Sequence, residues 1–140
     1  MPGWLKVLLA IVGFFMLVIV VLGVVAYKSF RAHEPELRAS AAKERDAGKA
    51  FGAGKGPADC VNEALRRSEH SFTGQIRARV FVDACLKTAT PSPAFCAEVP
   101  NGILQTAKWA NAECMRRGVT GDQVCVQVHT AVGEYCHPSH

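Results

Sequence analysis

The chain reads as an all-α protein: a single N-terminal transmembrane helix followed by a small disulfide-stapled bundle of four to five short helices. Three observations carry that expectation. Residues 7 to 27, VLLAIVGFFMLVIVVLGVVAY, form a run of 21 residues without a charge, and a helix of about 20 apolar residues spans the hydrocarbon core of a bilayer. All six cysteines lie beyond that run, and an even number of cysteines in a small domain behind a targeting-type segment is the pattern of a disulfide framework. Between the cysteines, apolar residues recur at helical spacing.

These features divide the chain into an anchor (1–28), a juxtamembrane stalk with a Gly-rich hinge (29–56) and a cysteine-rich helical domain (57–140). Trp4 and Tyr27 suit the two interfaces of a membrane. A cleaved signal peptide is the rival for the first segment, since Val24-Val25-Ala26 loosely resembles a cleavage site. The apolar run exceeds the 7 to 15 residues usual for a signal core, which favours retention as an anchor.

Charge is uneven. Residues 28 to 55 hold seven Lys and Arg against four acids, whereas residues 56 to 140 hold eight of each sign. The basic surplus therefore belongs to the membrane-proximal segment, where it fits contact with anionic headgroups that its scattered acids weaken, and the neutral domain carries no nucleic-acid footprint.

Two rules disagree about the side of the membrane. Lys6 lies before the apolar run and Lys28, Arg31, Arg38 and Lys43 follow it, a bias that by itself keeps the domain cytoplasmic. Six cysteines argue for an oxidising compartment. The cysteines are given precedence, so the domain is expected on the non-cytoplasmic side, periplasmic if the cell is bacterial.

Along the chain, EPELRASAAKERDAGKA is rich in helix formers and poor in apolar residues, as a surface stalk would be. Gly48, Gly52, Gly54 and Gly56 then suggest a flexible break in AGKAFGAGKGP. Pro57 opens the first helix of the domain, where its missing donor costs nothing, and Cys60, Ala64 and Leu65 share one side. SFTG is a turn. The next helix runs from about Gln75 to Thr88 with Ala78, Phe81, Val82, Cys85 and Leu86 facing inward. After TPSP, Ser92 and Pro93 start a short helix that ends before Pro100. Asn101 is the candidate cap of a fourth helix, whose inward face is expected to be Leu104, Ala107, Asn111 and Cys114 and whose end is Gly118. The last begins near Asp122. There Val124, Val126 and Val128 alternate as in a strand, but Cys125, Val128, Val132 and Cys136 keep the helical period, which is preferred.

Cys114 and Cys125 stand equidistant from a turn centred between Val119 and Thr120, as residues facing each other across a helical hairpin do. The same holds for Cys60 and Cys85 about SFTG. Cys125 and Cys136 lie about 16 Å apart along one helix and cannot join each other. The pairs Cys60–Cys85, Cys96–Cys136 and Cys114–Cys125 are thus self-consistent. A competing set joins Cys85 to Cys96 across TPSP and Cys60 to Cys136.

Function is less legible. No two cysteines have the close spacing of a zinc site or a Cys-x-x-Cys redox pair, and no metal or other cofactor is expected. Of the histidines, His33, His70, His129, His137 and His140, only His129 falls inside a packed helix, and it is read as partly buried on the helix surface. His137 and His140 lie in what reads as a frayed terminus. Glu63, Asp83, Glu98, Glu113 and Glu134 are spread among helices and balanced by arginines. Trp109 and Tyr135 are candidate interface residues, with an edge position in the core as the other reading.

The chemistry leans against an enzyme and toward a non-catalytic, membrane-anchored accessory or interaction module. Membrane lipid and a larger membrane or envelope complex would be its partners. A thiol-disulfide redox protein with a labile cysteine pair and an apolar-ligand-binding helical module are the alternatives.

Overall fold

A computed structural model describes residues 3–138 of the chain. It contains six helices and no strand among the described residues: α1 (Gly3–Gly52), α2 (Pro57–Arg67), α3 (Phe72–Thr88), α4 (Pro93–Cys96), α5 (Ile103–Arg116) and α6 (Gln123–Cys136). The residues fall into two compact units, one up to Arg38 and the other from Ala39.

The first unit is the apolar part of α1. Its most apolar 18-residue window has a mean hydropathy of 3.2 and is wholly unburied, so this helix is long and apolar enough to cross a membrane. Gly13 and Gly23 have nothing within 4 Å of where a Cβ would stand. Pro35 sits inside the helix, where it removes one backbone donor, and Glu34 pairs with Arg38 one turn on, at 2.5 Å.

The second unit is built around α3, which packs against α2 and α6, while α6 also contacts α2 and α5. Phe81, Val82 and Leu86 of α3 meet Val61 and Ala64 of α2 and Val124, Val128 and Val132 of α6, all 3 % exposed or less. Each large side chain so buried contributes about 2 kcal/mol relative to exposure. Side chains set the starts of two helices: Ser71 accepts from the Gly74 N–H at 3.0 Å, and Asp122 from the Val124 N–H at 2.9 Å. In α2 the Asp59 carboxylate accepts from the Gly56 N–H at 3.0 Å, ahead of Pro57. The valine alternation near residue 124 belongs to a helix: Val124 and Val128 are buried on the same face as Cys125 and Val132.

Three bridges close the bundle. Cys60–Cys85, Cys96–Cys136 and Cys114–Cys125 have Cα–Cα distances of 5.7, 5.4 and 5.9 Å. These are the pairs of the self-consistent set expected from the sequence, and the competing set is not formed.

The structure corrects four local expectations. The Gly-rich stretch does not break the chain at Gly48, because α1 continues to Gly52 and presses onto α3. A Cβ on Gly48 would stand 2.4 Å from the Phe81 carbonyl oxygen, and one on Gly52 2.4 Å from that of Cys85. Only glycine permits this approach. The chain turns just beyond, where Gly54 takes φ 76°, and Phe51 packs its ring 6.0 Å from that of Phe81.

The inward face of α5 is the second correction. Leu104, Ala107 and Asn111 are exposed, whereas Ala110 and Cys114 are buried with Thr106 and Trp109 beside them. The cause is the close contact with α6, where a Cβ on Gly133 would stand 2.2 Å from Thr106 Cγ2. Ala110 and Thr106 face the neighbour with Trp109 beside them, and Ile103 and Leu104 turn away. Third, the residue at the start of α5 is Gly102, at φ 111°, and not Asn101, since that left-handed backbone favours glycine. Finally, His137 is not frayed: its Nε2 donates to the Val99 carbonyl at 2.7 Å, next to the Cys96–Cys136 bridge. His140 lies outside the described residues.

Candidate functional site around His129

The hairpin of α5 and α6 carries the most unusual polar group in the domain. Gly118 and Gly121, at φ 76° and 78°, turn the chain between the two helices, and the Cys114–Cys125 bridge ties them beside that turn. One helical turn after Cys125, His129 points into the bundle and is 3 % exposed. The expectation of a partly buried surface histidine is corrected here: the contact of α5 with α6 covers it.

Its hydrogen bonding settles its tautomer. Nδ1 lies 2.9 Å from the carbonyl oxygen of Cys125, which can only accept, so Nδ1 carries the proton and Nε2 presents a lone pair. Burial pushes the His129 pKa below its ordinary value, the bond to the Cys125 carbonyl opposes that shift, and Arg117 and Arg116 add to the depression. The ring is neutral at pH 7. Nε2 makes no hydrogen bond to the described residues, and no fully sealed side-chain nitrogen or oxygen among them lacks a partner. The free lone pair is therefore open to space rather than walled in.

His129 lines a cavity of about 190 Å3 bounded by α2, α4, α5 and α6, where Trp109, Phe95, Val61, Val99 and Val132 stand beside the polar side chains of Asn62, Glu98, Glu113 and Arg117. The Trp109 ring meets His129 edge-on, centroids 5.6 Å apart. Arg117 donates to the Asn62 side chain at 3.2 Å on the same rim, and Glu113 is held by Arg116. Both candidate interface aromatics, Trp109 and Tyr135, are partly buried against the core, and Trp109 belongs to this cavity.

The Cys114 and Cys125 sulfurs and the His129 ring come within 4.8 Å of one another, a spacing that would suit a cation. Both sulfurs are spent in a disulfide and offer no thiolate, which metal binding by cysteine requires. Cys60, Cys85, Cys114 and Cys125 are each 1 % exposed or less, so an attacking thiol has no path to two of the bridges. Cys96 and Cys136 are partly exposed. Among the remaining sequence candidates, His33 lies near Glu36 on the exposed surface of α1, His70 lies 3.5 Å from Asp122, and Asp83 pairs with Lys87 and Glu134 with Arg79.

A second feature escaped the sequence reading. Ile103 is 89 % exposed and Leu104 74 % exposed at the start of α5, and Ile103 lines a groove of about 650 Å3 formed with the end of α6, together with Thr106, Gly133 and His137.

No protein-family model, no curated protein and no solved structure matches this chain.

Proposed function

We propose that the chain is a membrane-anchored, non-catalytic interaction module, a small subunit of or adaptor for a larger membrane or envelope complex, with its bridged domain on the non-cytoplasmic side. The observation that carries this reading is the exposed pair Ile103 and Leu104, of which Ile103 lines the groove of α5 and α6. Adjacent large apolar side chains left this open on a small domain are the kind of surface a protein partner covers. The apolar first unit supplies the anchor, and the three bridges suit an oxidising compartment.

The test is the size of the particle that carries the chain in mild detergent extracts of its own membrane. Native electrophoresis should find the wild type in a species much larger than the chain and a Leu104→Asp variant with Ile103→Asp released from it, with all three bridges intact in both. A wild type that migrates alone, or a double variant that stays in the large species, would overturn the proposal.

A further inference from the structure

The cavity beside His129 is separate from the groove of Ile103 and Leu104, and it stands independently of any protein partner. We infer that it is a binding site for a small uncharged molecule with an apolar body and one hydrogen-bond donor, of the phenol or indole kind, whose donor is received by His129 Nε2.

The argument proceeds by what each wall will accept. His129 is more than nine-tenths buried, has its Nδ1–H committed to the Cys125 carbonyl, and keeps Nε2 unpartnered and open. An occupant that fills the space beside Nε2 shuts it off from solvent, and an acceptor buried without a partner is costly, so the occupant that best satisfies it brings an N–H or O–H. A cationic donor is disfavoured, because Arg116 and Arg117 both act on the imidazole with positive charge. An anion meets the Nε2 lone pair and the carboxylates of Glu98 and Glu113 on the rim. A neutral donor avoids both conflicts.

One part of the lining fits an apolar ring, beside the polar side chains of Asn62, Glu98, Glu113 and Arg117. Phe95 and Trp109 supply aromatic faces and edges, and Val61, Val99 and Val132 complete the wall. A volume of about 190 Å3 is close to the roughly 150 Å3 apolar cavity known to hold a benzene molecule. The donor accounts for selectivity between ligands of the same shape.

The direct experiment uses the full chain, labelled with 15N at histidine and held in lipid nanodiscs, titrated separately with phenol and with benzene. The His129 signal is identified as the one missing from a His129→Gln variant. Phenol should move the Nε2 resonance in a saturable way and bind about five- to tenfold more tightly than benzene, the difference one net hydrogen bond makes. Ala58 lines the mouth of the cavity and is itself exposed, so Ala58→Phe should close the entrance and abolish the titration while the bridges and thermal unfolding stay as in the wild type. Equal affinity for phenol and benzene would remove the role of Nε2. No saturable shift with phenol, or a shift that survives Ala58→Phe, would remove the site.

Discussion

The two ends of α1 are both helical and both contain a pair of glycines, yet they are held by different means. Gly13 and Gly23 lie in a run that is apolar on every side and meets nothing, whereas Gly48 and Gly52 lie in a charged stretch and allow backbone contact with α3. The reading of the first end as membrane-spanning accounts for its uniform apolarity, since lipid asks only for apolar surface. The second end needs a particular shape at particular positions. Hydropathy alone therefore locates one end and says little about the other, where spacing of small residues four apart carries the information.

The largest effect that would sharpen this contrast comes from the staple behind the α3 surface that receives Gly48 and Gly52. The Cys60–Cys85 bridge closes a separation of 25 residues and fastens α3 to α2. Replacing both cysteines with alanine should lower the stability of the second unit by about 3 to 4 kcal/mol, read from denaturant unfolding, and leave the helicity of the first unit intact. A loss of helix signal from both units together would show that the two ends are not separately stabilised.

Next in size are the glycines themselves. Gly48→Ala and Gly52→Ala each place a methyl group against a carbonyl oxygen that cannot move freely, at 2.4 Å before relaxation. Each is expected to destabilise the second unit by about 1 to 3 kcal/mol. Gly13→Ala and Gly23→Ala meet no atom, and helix propensity favours alanine by about 1 kcal/mol, so they should be neutral or stabilising. Identical responses at the two pairs would break the comparison outright. A smaller change is expected for Ser40→Ala, which removes the acceptor 3.2 Å from Arg77 Nε: a few tenths of a kcal/mol at this exposed position.

The same contrast explains what could be read from the sequence. The anchor candidate is legible because a run of 21 uncharged residues is long enough to span a bilayer, and the Cys114–Cys125 pair because a turn midway between two cysteines brings them face to face; between Cys60 and Cys85 the chain turns at residues 68–71, and Phe72 to Gly74 of SFTG already belong to α3. Helix α3 is legible because Phe81, Val82 and Leu86 are large and periodic. Helix α5 misleads because its buried side is made of Ala110, Thr106 and Cys114, while Ile103 and Leu104 face outward. Hydrophobic periodicity finds contacts made by large side chains and misses those made by small ones. The same holds for Gly48 and Gly52, where glycine as a break and glycine as a close contact differ only in what lies opposite. For the site, the sequence located His129 inside a packed helix, beside the cysteine stripe, but not its depth, which depends on how near α5 lies to α6.

The smallest predicted effect separates the two units by their histidines. His129 is buried with its pKa lowered chiefly by desolvation, so the unfolded chain binds this proton more readily than the folded one does. Where the unfolded state binds more protons, stability rises with pH. The second unit should therefore lose stability as pH falls below about 6.5, the ordinary histidine value, and the loss should level off only below the depressed folded value. Arg116 and Arg117 oppose protonation of the ring, and the bridged sulfurs beside it do not titrate. Thermal unfolding followed from pH 7.5 to 5 should show this slope in the wild type and a shallower one in His129→Gln. His33 sits on the exposed surface of the first unit near Glu36, so His33→Gln should leave the slope of the second unit unchanged. A slope that persists in His129→Gln would assign the proton to a different group and leave the burial of His129 without a measurable consequence for stability.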